Sequence, residues 1–85
     1  MTKITTKDLP RLTRIKELRE RSKISQVELA AASGVSLTTL RKLENAVLFD
    51  ELALTGVGHF IHLGESLGVT AATIYPALHM RILIR

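Results

Sequence analysis

The stretch Ile24–Asn45, ISQVELAAASGVSLTTLRKLEN, decides how this chain folds. Ser25 is a good helix cap, because its hydroxyl can accept from an amide that the first turn leaves unpaired. Glu28 stands three residues on and completes a capping box, while Ile24 and Leu29 bracket it as a hydrophobic staple. A helix is predicted over Gln26–Ser33 through Val27, Leu29, Ala30 and Ala31. Gly34 ends it, since glycine takes the left-handed conformation without steric cost. The same arrangement then restarts, with Val35 before the cap, Ser36 as the cap and Leu40 as the staple partner. A second helix over Leu37–Asn45 turns Leu40 and Leu43 inward. Two capped helices separated by so few residues cannot lie side by side, so they must cross steeply.

That geometry is a helix-turn-helix. The longer run RIKELRERSKISQVELAAASGVSLTTLRKLEN resembles the helix-turn-helix family of phage Cro proteins and repressors, also called the XRE type. The features that carry the likeness are Gln26 after the cap, the small residue Ala30, Gly34 and Val35 in the turn, and the closing Leu43-Glu44-Asn45. The likeness is close over residues 12–45 and looser over 57–75. It implies an all-α, five-helix, lambda-repressor-like domain over residues 9–76 that binds double-stranded DNA, with helix 37–45 in the major groove. It also implies a partly buried ion pair between Arg19 and Glu44, and base reading by the first residues of helix 37–45.

The residues of that helix suit the role. With Leu40 set towards the core, about 100° per residue puts Thr38, Arg41, Lys42 and Asn45 on the opposite side, roughly 100° to 200° away. This face holds cations and hydrogen-bonding groups and no carboxylate. Arginine can read guanine in the major groove and apolar groups can touch thymine methyls. Thr38 and Arg41 are therefore expected at base edges, and Lys42 and Asn45 at phosphates. Leu37, on the flank, either fills the core edge or meets a thymine methyl. Ser36 and Thr39 complete the candidate set. Gln26 sits at the positive end of its helix, where it can donate to a phosphate or brace the next helix.

Composition bounds the alternatives. Eighty-five residues allow one small core, near the lower limit of independent stability. Apolar residues make up 46 % but aromatics only 4 %, so aliphatic side chains must fill that core. The absence of cysteine excludes disulfides, thiol catalysis and cysteine-ligated zinc, and fits a reducing cytoplasm. No apolar run approaches the roughly 20 residues of a membrane span, and the polar start MTKITTKDLP lacks the core of a secretion signal. The net charge of +4 is compatible with a polyanionic partner without requiring one. With no glycine-rich phosphate loop and no nucleophile–base constellation, an enzyme is not expected, nor is a cofactor. His59, His62 and Glu65 recur at spacing three but read as a solvated face rather than a metal site.

Outside the motif, residues 1–8 read as a flexible arm with Lys3 and Lys7. It is either a frayed end or a segment that touches DNA phosphates or pairs with a partner chain. A first helix is predicted over Leu9–Ser22, capped by Asp8, with Pro10 in its opening turn and Leu12, Ile15 and Leu18 inward. Its cations, Arg11, Arg14 and Lys16 among them, read mostly as a solvated face. After Asn45 the chain departs from the family. Ala46 replaces the usual glycine, and the loop AVLFDELALTGVG is longer and more apolar than usual. Phe49, Leu52 and Leu54 either fold as an extra helical turn onto the domain's own core or form a dimer interface. A fourth helix is predicted over Val57–Leu67 with Phe60, Leu63 and Leu67 inward and Gly64 in its interior. Val69, Thr70 and Ile74 open a fifth, which Pro76 disturbs. The apolar tail 77–85 alternates Leu78, Met80, Ile82 and Ile84. It suits a strand that pairs with a symmetry mate or a short helix packed on the core. The predicted function is a homodimeric transcriptional regulator, most simply a repressor, on a palindromic operator. The alternatives are an antitoxin-type autoregulator that also binds a toxin, and a protein-interaction module that has lost DNA binding.

Overall fold

A computed structural model of the chain describes residues 9–53 and 55–78. The readings of the arm 1–8, of Leu54 and of Met80, Ile82 and Ile84 fall outside these residues. The elements are α1 (Ile15–Arg21), α2 (Gln26–Ser33), α3 (Leu37–Asn45), a 3-10 turn (Phe49–Leu52), α4 (Val57–Leu67) and α5 (Ala71–Ile74), with no strand among the described residues. The all-α, five-helix architecture is the one the sequence implied. No described helix is long and apolar enough to cross a membrane.

The caps explain why the helices start where they do. Ser25 Oγ accepts from Glu28 N at 3.0 Å and Glu28 Oε1 accepts from Ser25 N at 2.9 Å, which closes the capping box. Those bonds hold the Glu28 carboxyl below its ordinary pKa. Ser36 and Thr70 cap α3 and α5 through the backbone N–H groups of Thr39 and Thr73. Gly34 ends α2 at φ 75°, and with nothing near its missing Cβ, the left-handed backbone alone explains the glycine.

The first helix corrects the sequence reading, because it begins at Ile15 rather than Leu9. Residues 9–14 spend their polar groups on distant elements. Leu12 N donates to Ala46 O and Arg14 N to Ile74 O at 2.9 and 2.8 Å, and Thr13 Oγ1 donates to Leu43 O at 2.9 Å. The segment thus closes off the carboxyl ends of α3 and α5, whose carbonyls have no partner within their own helices. Local periodicity favours helix here, and three tertiary acceptors override it.

Ile15, Leu29, Leu40, Leu43, Phe60, Leu63 and Ile74 are each fully buried in one core. Phe60 packs on Tyr75 with ring centroids 5.2 Å apart, so two of the three aromatics meet where α4 joins the end of α5. The apolar loop after α3 takes the first of its predicted forms, an extra turn on the domain's own core. It makes a 3-10 turn whose Leu52 is 1 % exposed, while Phe49 stays 62 % exposed. Leu52 is therefore a core residue and has no surface to offer a partner. Glu51 holds the turn by accepting from the N–H groups of Val47 and Leu48.

The clamp between α1 and α3 is the main polar feature of the interior. Arg19 donates to Glu44 through both Nε (3.1 Å) and Nη2 (2.9 Å), with Glu44 only 2 % exposed. Hydrogen bonding to Glu44 holds the Arg19 guanidinium even more firmly protonated than usual. Arg19 Nη1 also donates to Ile24 O at 3.0 Å, while Ile24 N donates to Arg19 O at 3.2 Å. One residue thus grips the peptide of Ile24 from both sides and holds Lys23 at φ 59°, a conformation that costs an L-residue about 1–2 kcal/mol.

Two predictions follow from this packing. Glu44→Gln strands a mostly buried guanidinium and should cost about 3–5 kcal/mol. On a domain of this size that lowers the melting temperature by more than about 10 °C. An unchanged melting curve would mean that the pair carries no stability. Gly64 and Gly58 should respond to alanine with opposite signs. A Cβ at Gly64 would lie 2.5 Å from Val69 O, whereas one at Gly58 meets nothing within 4 Å. Gly64→Ala is expected to destabilise by about 1–3 kcal/mol and Gly58→Ala to stabilise by about 0.4–1 kcal/mol, read by urea titration. Equal responses would contradict the close approach.

Candidate nucleic-acid interface

The two capped helices and their turn put α3 on the surface with one side in the core. Leu40, Leu43 and Glu44 are buried; Thr38, Arg41, Lys42 and Asn45 are exposed. The four residues assigned to an outward face therefore lie on one, and Leu37, half-buried, sits at its edge.

The polar groups of this face are not equally available. Ser36 Oγ accepts from Thr39 N and donates to Thr39 Oγ1, so both hydroxyls serve the cap. Asn45 Nδ2 donates to Arg41 O at 2.9 Å, and its Oδ1 accepts from Arg11 Nη2 at 3.5 Å. Asn45 thus closes the last turn of α3 and ties Arg11 to it. Thr38 and Lys42 have no such engagement among the described residues. Gln26, at the start of α2, donates from Nε2 to Glu44 Oε1 at 3.2 Å and accepts at Oε1 from Arg41 Nε at 3.3 Å. It spans the gap between the buried clamp and the exposed arginine.

Three neighbours of the face, Arg11, Asp50 and Glu51, are not singled out by the sequence reading. Arg11 was read as part of a solvated charged face on the first helix, but because residues 9–14 are not helical it reaches the end of α3. Asp50 and Glu51 line a groove together with Lys42, Thr39 and His59, so carboxylates border the face although none lies on it. Only the path of the loop after α3 brings them there. Among the described residues no group of histidine and carboxylate side chains could hold a metal ion.

Arranged in this way, the surface offers a helix of groove-filling width with cations at its centre and near one end. Its neighbour α2 begins close by, and the first backbone N–H groups of that helix lie beyond the reach of its capping box. Comparison with known proteins agrees with this geometry. No curated protein and no solved structure matches the chain. A family model described as Helix-turn-helix matches residues 15–47, from the first residue of α1 to just past α3. Over this segment the chain carries a helix-turn-helix similar to that of the Cro- and repressor-like, XRE-type DNA-binding transcription regulators.

Proposed function

We propose that the chain is a sequence-specific regulator, most simply a repressor, that binds a palindromic operator as a homodimer with α3 in the major groove. The observation that carries this reading is the carboxylate-free outward face of α3, where Thr38, Arg41 and Lys42 are exposed on a helix whose other side is locked into the core. Thr38 and Arg41 read base edges. Lys42 and Arg11 contact phosphates, with Asn45 fixing Arg11 in place. A monomer reaches only a few base pairs, and a two-fold dimer would read half-sites about 34–36 Å apart.

A second reading has its own observation. Leu48, Phe49, Val57 and Ile61 are large apolar side chains left between 37 % and 62 % exposed around the loop and α4. Such surface suits a homodimer contact. It also suits the protein partner of an antitoxin-type autoregulator, such as a toxin, or an interaction module without DNA binding.

Selection from a random duplex library at two salt concentrations tests the first reading. The expected result is a palindromic motif whose affinity falls steeply with salt. Absence of binding at low salt would refute it. Arg41→Ala should cost about 1–3 kcal/mol and relax the preference at one operator position; an equal loss on every sequence would reduce Arg41 to a phosphate contact. Sedimentation of Phe49→Ser and Leu52→Ser separates interface from core. Phe49→Ser should leave the fold intact and weaken the dimer, and Leu52→Ser should unfold the protomer. A full-strength Phe49→Ser dimer would remove this surface from the interface.

A further inference from the structure

We propose that Gln26 is a positioning residue that presets the Arg41 guanidinium for guanine, through a relay that begins at the buried Glu44. The inference rests on the assignment of α3 as the base-reading helix and concerns how that helix discriminates.

The relay has a fixed polarity. Both oxygens of Glu44 accept from Arg19, at 3.1 and 2.9 Å, so this side chain stands in the relay as the acceptor. The Gln26 group facing Glu44 Oε1 at 3.2 Å must therefore be its NH2. Its carbonyl oxygen is then turned the other way, where it can only accept, and the donor it meets is Arg41 Nε at 3.3 Å. The orientation of an amide, ordinarily ambiguous, is thus set by the buried charge behind it. The sequence of charges and dipoles runs from Arg19 through Glu44 and Gln26 to Arg41, from a clamp that is nearly water-free to a side chain in solvent.

The atom used on Arg41 matters. Holding Nε leaves Nη1 and Nη2 as a planar fork, the geometry that meets O6 and N7 of guanine together. An unbraced surface arginine would lose rotamer freedom on reading a base, and one held at Nε has surrendered part of it beforehand. Gln26 Nε2 gives one of its two N–H groups to Glu44, so the brace on Arg41 does not depend on whether the other meets a phosphate. Discrimination at the Arg41 position should therefore depend on a residue of α2 that touches no base.

The test uses the full chain with and without DNA. In the free protein, the Nε–H of Arg41 should exchange more slowly with water by nitrogen-detected NMR than those of other exposed arginines. Gln26→Met should abolish that protection while leaving Arg19 Nε–H, the folding control, unchanged. On a panel of operators varied at the position that Arg41→Ala relaxes, Gln26→Met should reduce the guanine preference on the order of tenfold. The salt dependence should stay the same, and the double variant should be no worse than Arg41→Ala alone. A uniform loss on all sequences with a salt slope smaller by about one would make Gln26 a phosphate contact and overturn the proposal. Additive losses, or an Arg41 signal indifferent to Gln26, would overturn the relay. A wild-type chain that selects no motif while the signal still depends on Gln26 would overturn the DNA reading and leave only the brace.

Discussion

The contact between Arg19 and Glu44 is the constraint on which the rest of this structure depends, because it ties the helix before the motif to the helix that faces outward. A buried ion pair is a poor source of net stability, since desolvating both charges offsets most of their attraction. Its value here is geometric. The carboxylate accepts three bonds, two from Arg19 and one from Gln26. The third nitrogen of the guanidinium, Nη1, donates to the Ile24 carbonyl. Four separate pieces of chain therefore meet at one point: α1, the turn after it, the start of α2 and the inner side of α3. An apolar pair could fill the same space without specifying those directions.

Around this point the packing is tight in some places and open in others, and the difference has a chemical basis. Where α4 turns into α5, the missing side chain of Gly64 lets the backbone of Val69–Ala71 sit directly against the helix, and the Val69 amide bonds the Gly64 carbonyl at 2.8 Å. Phe49 in the loop and Val57 and Ile61 on α4 instead remain open to water. A small helical domain has little surface to hide such side chains behind.

The putting-together of the outward face also changes how its charges are viewed. Arg41 and Lys42 stand at its centre, Arg11 is held at one end by Asn45, and Asp50 and Glu51 border it across a groove. A polyanion laid along α3 would meet cations on the helix and carboxylates at that edge. The carboxylates limit how far a sequence-independent electrostatic attraction can spread, which favours one register over many.

The sequence by itself determined the local parts of this protein. Caps at Ser25, Ser36 and Thr70, the stop at Gly34 and the inward leucines of α3 depend only on neighbouring residues, and the bounds of α2 and α3 and the start of α5 followed from them. The outward set Thr38, Arg41, Lys42 and Asn45 was legible for the same reason, since helical periodicity fixes a face once one core residue is known. The tertiary structure decided everything that rests on contacts distant in sequence. Residues 9–14 gave up helix because carbonyls of Ala46, Ile74 and Leu43 offered their polar groups better partners. Leu52 and Phe49, three residues apart in one apolar run, parted to core and surface; a 3-10 turn stacks residues i and i+3 on one side, so packing against the core and not the turn separates them. Gln26 was legible as a residue that could brace α3, but its amide was oriented by a charge eighteen positions away, a distance no local pattern encodes.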